Sequence, residues 1–421
     1  MTFDPRRMLL AVFYVLASTA VADDETADTP PLRRNDSAVP GVVITHQPAS
    51  SRIYLGSPGI AILPDGSYLA KCDEFGPGST EHQSAVTRVY RSEDRGLTWK
   101  PAATLNHLFW ASLFVHDGAT YLLGTTRHHG LVTIRRSDDG GRTWTPSSEG
   151  LLTPQGEYHT APGPILRHDG RLWRAIEDAS TGRMWGLRYS AQMMCAPLDA
   201  DLLRPESWTF SNMIRRDSGW LNGDFKAFLE GNAVVHEDRV YNVLRVQRMS
   251  GGAELAAVCD VSADGTQLSF DPKGGFVPMP GGAKKFTIRR DPQSGAFWTL
   301  ATVVAPNITP GRGDGLRPSG GIRNTMALLR SEDLRSWETR CVLLHHPDIE
   351  KHAFQYPDFQ FEGDAIIAAV RTAYEDGLGG AHRAHDANYL TFHRFEDFRD
   401  LQMSDSAVTP TLLGYDSEDA E

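Results

Sequence analysis

The sequence predicts an all-β chain folded as a six-bladed β-propeller with Asp-box turns. Three observations predict it. Six two-residue hairpin turns recur at near-regular spacing along 421 residues, two complete SxDxGxxW motifs follow the first two of them, and the chain holds 39 Gly and 25 Pro. That composition suits many short strands joined by tight turns.

The turns come first. They are Asp65-Gly66, Asp117-Gly118, Asp169-Gly170, Glu237-Asp238, Ser294-Gly295 and Gly363-Asp364, each between apolar or alternating runs. Such a pair between two runs is a hairpin signal. The first residues of these pairs stand 52, 52, 68, 57 and 69 positions apart, enough for one four-stranded blade with its loops. The SxDxGxxW copies run from Ser92 to Trp99 and from Ser137 to Trp144. Partial copies stand at Ser331-Glu332-Asp333 with Trp337, at Ser262-Ala263-Asp264-Gly265, and around Pro205-Glu206-Ser207-Trp208. Ser and Asp there cap the turn's own backbone, Gly takes a positive φ, and Trp packs on the sheet. These residues staple the fold and are not catalytic. Residues 41–46 are expected to pair with residues 388–395 and close the ring, leaving no exposed edge.

Four segments follow from this reading. Residues 1–22 read as a signal peptide, with Arg6 and Arg7, an apolar run over 8–16, and Ala20-Val21-Ala22 at the cleavage site. Residues 23–38 read as a flexible leader, 39–402 as the propeller, and 403–421 as a loose acidic tail. The apolar run is shorter than the roughly 20 residues that a membrane span needs. A secreted or periplasmic protein with no membrane span is expected, and a monomer. A net charge of -11 argues against nucleic acid, which asks for a basic surface. The cysteines Cys72, Cys195, Cys259 and Cys341 show no CxxC spacing, so disulfides and buried free thiols both stay open. No cofactor or metal is expected, because no HxH or HExxH spacing occurs on a regular element.

Antiparallel order puts both kinds of turn on one face of the ring. Chemistry is therefore expected on the other face, just before each first strand and just after each second one. Before the turns stand Pro58, Trp110, His159, Glu230, Lys284 with Lys285, and Tyr356; after them stand Asp73, Arg127 with His128 and His129, Glu177, Arg245 and Arg371. Ionisable and aromatic groups recurring at one depth point to a site as a set.

The order of Asp-boxes, Glu230, Arg245, Arg323 and Tyr356 resembles the exo-sialidase superfamily. The segment FLEGNAVVHEDRVYNVLR is similar to that family's Glu-to-Arg blade, Gly321-Ile322-Arg323-Asn324-Thr325 to the blade of its third arginine, and Tyr356-Pro357-Asp358-Phe359 to its nucleophile motif. The resemblance covers roughly residues 40–400. It implies Tyr356 as nucleophile, Glu230 as its base, and Arg245 and Arg323 as carboxylate binders. A phenol needs a nearby carboxylate to take its proton, and guanidinium suits a carboxylate in two-pronged contact. Asp73 stands in the loop where the family keeps its acid/base. The family's first arginine has no counterpart: Ser57-Pro58-Gly59 occupies its place. Lys284, Lys285 or Arg127 are candidates to stand in, with His159 and Arg371 as further substrate contacts.

The resulting expectation is an exported exo-glycoside hydrolase acting on a terminal acidic sugar of a glycan or polysaccharide. A propeller lyase of uronic-acid chains with His159 as base, and a non-catalytic glycan-binding propeller, are the alternatives.

Overall fold

A computed structural model describes residues 39–313 and 315–416. The expected signal peptide and leader lie outside the described residues. Six antiparallel sheets are present, one per predicted turn. Their first two strands are Tyr54–Ile62 with Tyr68–Phe75 in blade one, Phe109–His116 with Ala119–Thr125 in blade two, and Leu166–His168 with Arg171–Asp178 in blade three. Blades four, five and six begin with Phe225–His236 and Arg239–Arg248, Thr287–Arg290 and Phe297–Thr302, and Ala353–Glu362 and Ala365–Ala373. Among the described residues no helix is long and apolar enough to cross a membrane.

The ring closes as expected. Val42–His46 pairs antiparallel with Tyr389–Phe395, with Val42 opposite Phe392. The apolar faces of adjacent blades then meet: Val42, Leu55, Ile60, Ile367 and Phe392 share one buried cluster between blades six and one. Gly96 lies against this seam at φ +91, where a Cβ would stand 2.2 Å from the Phe392 ring. Only glycine accepts both that φ and that approach. Truncating Phe392 to Ala would cost about 3–5 kcal/mol.

In the turns after the third strands, Gly96 N and Gly141 N donate to Ser92 Oγ and Ser137 Oγ at 2.8 and 2.9 Å. Trp99 and Trp144 donate their Nε1 hydrogens to Gly96 O and Gly141 O at 3.1 and 3.0 Å. These contacts are internal to the turns, as a fold staple requires.

Side chains stitch blade to blade at one depth. Asp73 accepts from Trp110 N at 2.6 Å, Ser112 Oγ from Gly163 N at 2.9 Å, and Glu177 from Gly231 N at 3.2 Å. Asn232 accepts from Ile288 N at 3.0 Å, Thr302 Oγ1 donates to Phe354 O at 2.7 Å, and Asp358 accepts from Ile60 N at 2.9 Å. Each blade is thus tied to the first strand of the next or, at Gly163, to the residues just before it, all the way round.

The tail expectation is corrected over 403–416. Met403 and Leu413 are buried with Ala305 and Val342 of blade five, and Ala407 N donates to Val342 O at 2.8 Å. The apolar residues among the acids hold this stretch down. The four cysteines are free and buried.

Candidate active site

Four first strands bulge at the same level. Ser57, Trp110, Glu230 and Tyr356 adopt φ of 52°, 54°, 59° and 54°, each at a register shift against the second strand. Left-handed φ in a non-glycine residue costs about 1–2 kcal/mol. The bulge turns a side chain that would lie on the sheet face toward the ring axis. Trp110, Glu230 and Tyr356 thereby line one cavity of about 470 Å³, on the face away from the turns.

At its floor the Tyr356 hydroxyl donates to Glu230 Oε1 at 2.7 Å. Arg245 Nη1 lies 2.7 Å from Glu230 Oε2 and 3.3 Å from the Tyr356 oxygen. Burial pushes the Tyr356 pKa up, and the Glu230 charge adds to this against three guanidiniums, so the phenol rests protonated. Burial opposes ionisation of Glu230, but the Arg245 charge and hydrogen bonds overcome it and hold the carboxyl below its usual range. The pair is therefore a neutral phenol beside a ready acceptor.

Two more arginines flank the phenol ring, with guanidinium carbons 5.8 Å (Arg323) and 5.0 Å (Arg371) from its centre. Arg323 donates to the neutral Gln355 Oε1 at 2.6 Å, and Arg371 donates to His385 O. Neither has a carboxylate partner among the described residues, although both are buried. Arg371 stands against Gly56 and over the Phe75 ring, at 4.5 Å. A guanidinium from blade six thus reaches the place beside Ser57 where blade one offers none. Lys284 and Lys285 do not take that place: they hold Glu254 with Ser319 O and Thr287 with Pro357 O, respectively, inside the protein.

His159 lines the same cavity, its Nδ1 2.7 Å from Glu177 and its ring stacked on Tyr189 at 4.2 Å. The Tyr189 hydroxyl lies 2.9 Å from His129 Nε2. Burial, with His128 and His159 nearby, pushes the His129 pKa down to about 2, so this imidazole stays neutral.

Two expected positions lie elsewhere. Asp73 is 0% exposed and does not reach the cavity. Its oxygens are taken by Lys71 Nζ at 3.1 Å, Thr87 Oγ1 at 2.7 Å and Trp110 N at 2.6 Å. Arg127 is exposed, away from the cavity, and contributes only its carbonyl to the turn that carries His128.

Sequence reasoning missed Glu81 and Trp185. Glu81 follows the Gly76-Pro77-Gly78 loop of blade one, lines the cavity, and lies 3.2 Å from His128 Nδ1. A lone acid in a glycine- and proline-rich loop on the functional face was the available signal. Trp185 stays 42% exposed between blades three and four, a flat apolar surface of the kind that sugar rings stack on. Among the described residues two groups could hold a metal, Glu81 with His82 and His128, and His346 with Asp348 and His352; within each, the donor atoms lie within 4.8 Å of one another.

No family model and no curated protein matches the chain in sequence. Solved structures do match in shape. A Hadza microbial sialidase superposes with a TM-score of 0.55 at 15% identity, over 85% of this chain and 68% of that one. A Penicillium chrysogenum alpha-L-arabinanase complexed with arabinobiose gives 0.51 at 13% identity, over 87% and 99%. A Trypanosoma rangeli sialidase in complex with sialic acid gives 0.51 at 14% identity, over 80% of this chain and 54% of that one. At these identities the likeness establishes the fold, a propeller of the kind found in glycoside hydrolases.

Proposed function

We propose that the protein is an exported, sialidase-like exo-glycoside hydrolase that releases a terminal acidic sugar. One observation carries this reading. The Tyr356 hydroxyl is hydrogen-bonded to Glu230 at 2.7 Å, between two buried arginines that lack a carboxylate of their own. Burying an uncompensated cation is costly, and a substrate carboxylate offsets that cost. A neutral phenol meets such an anionic substrate with less repulsion than a carboxylate nucleophile would.

In the first step the Tyr356 oxygen attacks the anomeric carbon while its proton passes to Glu230 Oε1. The glycosidic C–O bond breaks, and the leaving oxygen takes a proton from the Glu81–His128 pair, which carries one only on the acid side of neutrality because both pKa values are pushed down. Glu81 takes the acid/base role expected of Asp73, because Asp73 is closed off by its partners. Asp386 also lines the cavity, but it is tied to His382, Arg383 and His385 at 2.9, 2.8 and 2.7 Å. In the second step water gives a proton to Glu81–His128 and attacks the anomeric carbon. Protonated Glu230 then returns its proton to the departing phenolate.

The test is release of free sugar from an α-sialoside, a uronide and an α-L-arabinoside. Hydrolysis of an acidic glycoside is expected, with a fluorinated analogue labelling Tyr356 in the mass spectrum. Preference for the neutral arabinoside, or labelling elsewhere, overturns the assignment.

His159 favours a second reading, β-elimination of a uronic-acid chain. With Nδ1–H given to Glu177, its Nε2 is left to remove a proton at the cavity wall, and the leaving oxygen takes its proton from water. New ultraviolet absorbance from unsaturated ends would mark that reaction.

A further inference from the structure

Beside the Tyr356 cavity lies a second hollow of about 300 Å³, with Trp185, Tyr356 and His385 shared between the two. Among the described residues five cations line it, Lys226, Arg245, Arg248, Arg312 and Arg323, and no carboxylate does. The whole chain carries a net charge of -11, so this concentration of positive charge is local. Two of the five are neutralised by the protein: Arg245 meets Glu230 at 2.7 Å and Arg248 meets Asp224 at 2.6 Å. Arg323 faces the phenol. Lys226 and Arg312 remain, and neither has an acidic partner among the described residues.

Lys226 is partly buried, and its pKa is pushed down first by loss of solvent and then by the charges of Arg312 and Arg245. Like charges gathered in a partly dry hollow repel one another until an anion joins them. Low-dielectric walls also focus such a field into the hollow. Gly251, Gly320 and Gly321 also line the hollow and bring only main chain to it.

We propose that this hollow is a second anion subsite, which takes a carboxylate or sulfate on the sugar unit next to the bond that is cleaved. The preferred substrate is then a polyanionic chain and not a glycan with one charged end. The proposal rests on the hydrolase reading for which bond is cleaved, and on Lys226 and Arg312 for where the second charge goes. Trp185, shared by both cavities, offers a stacking surface between the two sugar units.

Binding tests this apart from turnover. Calorimetry on full-length Tyr356→Phe protein compares a neutral trisaccharide, a trigalacturonate and a sulfated trisaccharide. At least one charged probe is expected to bind ten-fold or more tightly than the neutral one, with affinity falling as salt rises. The tighter of the two charged probes identifies carboxylate or sulfate as the second anion. Lys226→Gln and Arg312→Ala are each expected to weaken that probe about ten-fold and to leave the neutral probe unchanged. Both side chains reach solvent, so neither substitution threatens the fold. Equal affinity for all three probes overturns the subsite, as does charged-probe binding indifferent to both substitutions. A protein that discriminates the probes but cleaves no glycoside sinks the hydrolase reading and keeps the subsite.

Discussion

In blade one the first strand bulges at Ser57, and the second strand sets Asp73 eight residues past the turn; in blade four the bulge is Glu230 and the matching residue is Arg245. Both pairs of strands share the register shift at that level. Yet Asp73 spends its carboxylate on Lys71, Thr87 and the Trp110 amide, whereas Arg245 braces a carboxylate that holds a phenol open to the cavity. Equivalent places in the repeat therefore do not have equivalent jobs. What separates them is where the partner side chains lie: those of Asp73, Lys71 and Thr87, stand away from the cavity, whereas Arg245 is paired with the Glu230 and Tyr356 that line it.

The sharpest way to break this contrast is Tyr356→Phe, which removes the acceptor's purpose and leaves packing in place. It is expected to lower kcat by at least about 10³-fold with an unchanged unfolding midpoint. Glu230→Gln should cost about 10²–10³-fold in kcat, again with the fold intact. For Glu81→Gln the loss in kcat/KM should approach about 10²-fold on a sugar leaving group and nearly vanish on a nitrophenol, which departs without a proton, while kcat stays low on both because the second step still lacks its base.

Asp73→Ala should do the opposite of these three. It strands a buried Lys71 charge and frees the Trp110 amide, so urea denaturation should report a loss of about 3 kcal/mol. Activity per folded molecule should change only a few-fold. A collapse of kcat on a stable Asp73→Ala fold would erase the distinction between the two blades.

The smallest effect is in pH. Glu230 must be ionised to accept the phenol's proton, and burial alone would raise its pKa, but Arg245 brings it below the usual value. Its pKa is depressed, so activity is present above that pKa and lost as pH falls through it. The acid limb of kcat/KM should therefore lie below about 4.3, the ordinary Glu range. Arg245→Met removes the largest opposition to burial, leaving His159 and the Tyr356 hydrogen bond, and should move that limb to higher pH.

Much of this was legible because strand repeats advertise themselves through turn chemistry. All six hairpins fall at the predicted pairs, and Val42–His46 closes the ring as expected. Glu230, Arg245, Tyr356, Arg371 and His159 all reach the central cavities, because their distance from each turn fixes their depth; Arg323, which also reaches them, was legible only through the family resemblance. Depth does not fix direction, and so Asp73 and Arg127 do not line the cavity. At a strand end the side chain goes inward or outward according to partners from other blades. Glu81 and Trp185 sit in long loops, where no period constrains position. The role of Arg371 depends on blade six standing beside blade one, a neighbourhood created only by ring closure.

That closure has a kinetic side. Val42 and Phe392 meet across nearly the whole described chain, a contact of very high sequence separation. Loop entropy rises only logarithmically with length, but such a contact forms late and slowly. Tyr356 and Arg371 belong to the blade that makes it. A growing or truncated chain would thus hold Glu230 and Arg245 already folded into their blade and still lack the phenol they serve. The last blade acts as the key that completes the lock, and a circular permutant cut between blades three and four would move that moment to another seam.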